Sequence, residues 1–70
     1  MSRRYTGNMS GEQFLGNART KEVHDLDNEK VNCQIDEIIR AGNDRPFHFL
    51  STAHAQGYDN CAYCLGNSNR

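Results

Sequence analysis

Two thiols stand with two residues between them in the stretch GYDNCAYCLGN, residues 57–67. A Cys-x-x-Cys turn brings both sulfurs within reach of one tetrahedral ion, and zinc in structural sites takes four ligands from Cys and His. Cys61 and Cys64 supply two ligands, and the one other cysteine, Cys33, is the natural third. This constrains a chain of 70 residues strongly. A domain of that size buries only about 60% of its unfolded surface, so it usually needs a disulfide, a metal or a partner as a staple. Apolar residues make up 36% of the sequence, and the mean hydropathy of −0.88 is well on the polar side. A core alone is therefore a weak basis for folding.

The fourth ligand should be a histidine, from His24, His48 or His54. His24 is favoured. It ends an expected strand shortly before Cys33, so a ligand pair ahead of the first helix would face a knuckle behind the second. His54 sits on an expected short helix, where a solvated or packed role serves equally well. His48 alternates with Phe47 and Phe49 and should point away from their face. A redox Cys-x-x-Cys normally opens a helix whose dipole lowers the first thiol's pKa; LGNSNR, residues 65–70, carries no helical pattern. Inert buried thiols keep apolar company, which Asp59, Asn60 and Gly66 do not provide.

The formal net charge of −1 excludes a global basic field for nucleic acid. No apolar run approaches the length of a membrane span. The opening MSRRYTGNMSG lacks the apolar stretch of a secretory signal, and an odd cysteine count argues against a disulfide framework. The expected compartment is the cytoplasm.

Residues 1–11 read as a flexible tail, 12–66 as the zinc-binding domain and 67–70 as a second tail. Phe14-Leu15 and Lys21–Leu26 read as two strands around a Gly16-Asn17 turn, and DNEKVN as a charged loop. A short helix follows, with Asn32 as its cap. Ile35, Ile38 and Ile39 share one of its faces, and Gly42 is its stop. Arg45–Leu50 reads as a strand with Pro46 near its start. Ser51 would cap a second helix ending at Gly57. The expected fold is a small α+β zinc-stapled domain, with a short antiparallel sheet of about three strands, two short helices and the cysteine knuckle. Its expected core is Phe14, Leu15, Val23, Ile35, Ile38, Ile39, Phe47, Phe49, Leu50 and Tyr58.

NCQIDEII followed by PFHFLSTAHAQGYDNCAYC resembles the zinc-binding domain of Ada-type DNA methyl phosphotriester repair proteins, and more closely its small relatives found beside nucleases. The shared pattern is a ligand pair, an apolar helix, an aromatic strand, a small helix ending in Gly-Tyr, and Cys-x-x-Cys. It covers roughly residues 14–65, and Ala53–Cys64 is its most specific part. The resemblance implies one Zn²⁺ on His24, Cys33, Cys61 and Cys64. In the repair proteins the first ligand is a cysteine that accepts the methyl group; here that place holds His24, and DLDNEKVN lengthens the spacing to Cys33.

The acceptor sulfur is thus missing, and the site reads as closed and structural. The expected function is a monomeric binding module for DNA or a protein partner, without catalysis. Arg3, Arg4, Arg19, Lys21, Arg40, Arg45 and Arg70 are candidates for a local basic face, and Tyr58 and Tyr63 for a contact surface. The alternatives are a stoichiometric methyl acceptor using Cys33 and a purely protein-interaction or structural module. No catalytic set stands out: Asp36 and Glu37 are helix neighbours and do not face each other.

Overall fold

The computed structural model describes residues 3–65. Four strands form one mixed sheet: β1 (Phe14–Asn17), β2 (Glu22–Asp25), β3 (Asp44–Phe47) and β4 (Asp59–Asn60). Their order is β3-β1-β2-β4. β1 is antiparallel to β2 and β3, whereas β4 runs parallel to β2. Helix α1 (Ile35–Arg40) precedes β3 and helix α2 (Leu50–Ala55) follows it. Two 3-10 turns, Leu26–Asn28 and Val31–Cys33, occupy the expected charged loop. The α+β class and the two short helices match expectation. The sheet has a fourth strand because the chain leaving α2 returns beside β2, where Asp59 N–H donates to Lys21 O at 2.8 Å and Cys61 N–H to Val23 O at 2.9 Å.

β1 is central and buried on both faces, which divides the core in two. Cross-strand partners share a face, and Leu15 stands opposite His24 while Gly16 stands opposite Val23. Leu15 packs with Met9, Leu26, Ile35, Ile38 and the three cysteines. Phe14 and Val23 pack with Ala53 and Tyr58. Strand alternation in β2 therefore sends Val23 to the α2 side and His24 to the α1 side.

Gly16 lies within β1, and the turn falls at residues 18–21 instead of Gly16-Asn17. Asn17 builds this turn: its side-chain oxygen accepts Arg19 N–H at 3.0 Å, and its carbonyl accepts Lys21 N–H at 2.7 Å. Gly16 serves packing. A Cβ there would lie 2.7 Å from the Tyr58 ring and 2.8 Å from the Phe47 ring, two rings already in edge contact with centroids 5.2 Å apart. Gly16→Ala should destabilise the domain by about 1–3 kcal/mol through overpacking, read as a lower urea midpoint at unchanged slope.

Other local expectations need correction. Asn32 does not cap α1; it belongs to the second 3-10 turn, and Gln34, in the left-handed region at φ 54°, takes the capping place without a side-chain bond. Gly42, at φ 76°, does end α1, with Asn43 N–H donating to Ile38 O at 3.1 Å. Pro46 is the third residue of β3 and is tolerated there because β3 is an edge strand. Phe49 is not core: it is 68% exposed, because β3 stops at Phe47 and Phe49 becomes the residue before α2. Ser51 lies inside α2 and does not cap it.

Residues 3–11, expected to be part of a tail, contact the folded body. Met9 is buried. Arg3 pairs with Asp27 at 2.8 Å, and Arg4 pairs with Glu29 and Asp36. Asn8 donates its backbone N–H at 2.7 Å and its side-chain amide at 3.3 Å to the fully buried Asp44 carboxylate. Residues 67–70, the expected second tail, lie outside the described residues.

Candidate metal centre

Three separate pieces of chain deliver the four candidate ligands. His24 comes from β2, pointed by strand alternation to the α1 side. Cys33 closes the second 3-10 turn, fixed by its N–H to Lys30 O at 2.9 Å. Cys61 follows β4, and its bond to Val23 O sets it beside His24. Cys64 ends the knuckle; its sulfur accepts Asp25 N–H at 3.3 Å, and its carbonyl accepts the Asn28 side-chain amide at 2.7 Å. The last bond ties the knuckle to the first 3-10 turn. Asp25 acts through its backbone, so no residue type announces it; Asn28 sits in a stretch that reads as an ordinary polar loop.

One ligand atom from each of His24, Cys33, Cys61 and Cys64 lies within 4.8 Å of all the others. The Cys33 and Cys61 sulfurs are 3.7 Å apart, and Cys64 Sγ is 3.9 Å from His24 Nδ1. All four residues are buried and the three cysteines are free. This group can hold one metal ion. His54 and His48 lie on the surface. His54 Nε2 meets Asn60 Oδ1 at 2.6 Å, and the His48 ring neighbours Phe49 with centroids 6.5 Å apart.

Burial governs the electrostatics. It lowers the His24 pKa from the ordinary 6.5 to about 4, so the imidazole is neutral near pH 7, as a ligand must be. It raises the Cys33 and Cys64 thiols. Clustered buried thiolates are costly alone, and a bound dication reverses that cost by favouring deprotonation. On one side the centre meets a cleft of about 520 Å³, whose lining includes His24, Cys33, Cys61, Arg19, Glu37 and Tyr63.

No protein-family model, curated protein or solved structure matches this chain. The likeness to Ada-type zinc domains therefore remains a resemblance of sequence pattern.

Proposed function

We propose that the centre holds one structural Zn²⁺ and that the domain is a binding module without catalytic chemistry of its own. The observation that carries this reading is the spacing of the ligand atoms. With Zn–S near 2.3 Å, a tetrahedron has S–S edges of about 3.8 Å, and a mixed S–N edge is about 3.6 Å. The Cys33–Cys61 separation of 3.7 Å fits the first, and the Cys64–His24 separation of 3.9 Å is slightly longer than the second. Thiolates with an imidazole select zinc over the hard cations calcium and magnesium. Four protein ligands fill the coordination sphere, which is the structural type of site. Three thiolates also suit a reducing compartment, in keeping with the expected cytoplasm.

A protein partner suits the surface better than DNA. Arg3, Arg4 and Arg40 are each paired with carboxylates, and Arg45 donates to the carbonyls of Gly42 and Asp44. Lys21 lies over the Tyr58 ring, 4.8 Å from its centroid. Phosphates would have to displace most of these partners. Tyr63, 59% exposed beside the cleft, offers contact area instead. Tyr58 is buried in the core.

Native mass spectrometry tests the metal reading: one zinc per chain is expected, with protons displaced. A folded, metal-free chain in reducing buffer would refute it. Titration with short duplex and single-stranded DNA at two salt concentrations tests the partner; little binding is expected, and strongly salt-dependent binding would restore the DNA reading. Cys33 is 5% exposed, too enclosed for a phosphotriester. Incubation with methyl phosphotriester DNA should leave the protein mass unchanged, and one methyl on Cys33 would return the acceptor reading.

A further inference from the structure

We propose that Cys33 and Cys61 are a peroxide-oxidisable pair whose conversion to a disulfide ejects the zinc; this rests on the structural-zinc reading above. The three thiolates of the centre are not equivalent. Cys33 and Cys61 both line the cleft, and Cys64 is not among the residues that line it. Cys64 is also held against β2, where its sulfur accepts the Asp25 N–H at 3.3 Å. The Cys33 and Cys61 sulfurs already stand 3.7 Å apart. A disulfide needs about 2.05 Å, so the gap closes by a small movement once no ion separates them. Peroxide is about the size of water, so the enclosure that bars a phosphotriester from Cys33 does not bar this oxidant.

The chemistry balances without further reactants. One thiolate attacks a peroxide oxygen, the O–O bond breaks, and hydroxide leaves as the sulfur becomes a sulfenic acid. The second thiolate displaces hydroxide from that sulfur and the S–S bond forms. Two electrons pass from the two sulfurs to one peroxide, which departs as two hydroxide ions that solvent protonates. Zinc leaves as Zn²⁺, because Cys64 and His24 alone do not hold it. The product cross-links the 3-10 turn before α1 to the knuckle, so the oxidised chain keeps one covalent tie across the emptied centre. A thiol reductant and zinc reverse the change.

The test uses the full chain loaded with zinc. Metal content is measured first, then hydrogen peroxide is added while a chromogenic chelator follows released zinc, and disulfides are mapped by peptide mass spectrometry without reduction. The expected result is release of one zinc per chain, a Cys33–Cys61 linkage as the main early product, and recovery of bound zinc after reduction and reloading. A main Cys61–Cys64 linkage, first oxidation at Cys64, or retention of zinc while free thiols are consumed would overturn the inference. A reduced chain that never takes up zinc removes the structural-zinc reading and this inference together; a chain that binds zinc and keeps it under peroxide removes only this inference.

Discussion

A strong chelator is expected to unfold the domain, and added zinc to refold it. Small domains are stable by only about 5–15 kcal/mol in all, and zinc at a structural site supplies about 10–16 kcal/mol near neutral pH, which becomes folding free energy. The centre also joins β2, the turn before α1 and the knuckle after β4, so losing it releases three attachments at once. The three cysteines belong to the same cluster as Leu15, Leu26, Ile35 and Ile38, so loss of the ion also loosens the packing around those side chains. The dispersed amide spectrum should collapse to that of an unfolded chain. Acid should act in the same direction. The His24 pKa is depressed from 6.5 to about 4 in the fold, so between those values the unfolded chain takes up a proton that the folded one refuses. Stability from this group is full above pH 6.5 and is lost as pH falls toward 4. Proton competition for the thiolates adds to the loss. A spectrum that stays dispersed after verified metal removal would show that the core suffices.

His24→Ala should weaken zinc binding by more than about 100-fold, since even residues that merely orient a ligand are worth 10–100-fold. His48→Ala and His54→Ala should leave affinity unchanged, because both residues are exposed and neither belongs to the ligand group. His24→Cys, which restores a fourth soft ligand, should regain most of the affinity that His24→Ala loses. Competition titration with a chromogenic chelator measures all four. Equal losses at His24 and His54 would mean that the centre is assembled differently. A loss that His24→Cys cannot rescue would assign His24 a packing role beside Leu15.

The cysteine half of the candidate centre was legible in the sequence because its spacing is local. Cys61 and Cys64 are separated by two residues, and a short turn brings their sulfurs together whatever the rest of the chain does. The Ile35, Ile38 and Gly42 pattern was readable for the same reason: helix periodicity and a left-handed stop are properties of a few adjacent residues. Phe49 misled because its alternation with Phe47 holds only while the strand continues, and the chain turns into α2 instead. Gly16-Asn17 carried a turn signal, yet β1 runs through it because the Tyr58 and Phe47 rings occupy the space a side chain at Gly16 would take. Met9 was invisible as core because its neighbours are polar; contacts to Asp27, Glu29, Asp36 and Asp44, far along the chain, hold that segment down.

The sequence by itself determined the candidate ligand types, the knuckle and the two short helices, since each follows from residue chemistry and short-range spacing. The parallel return of β4 beside β2, the division of the core by a strand buried on both faces, and the sorting of thiols between cleft and interior were decided only in the tertiary structure. Those features depend on backbone hydrogen bonds and packing between segments distant in the chain, and neither leaves a mark on the residues adjacent to them.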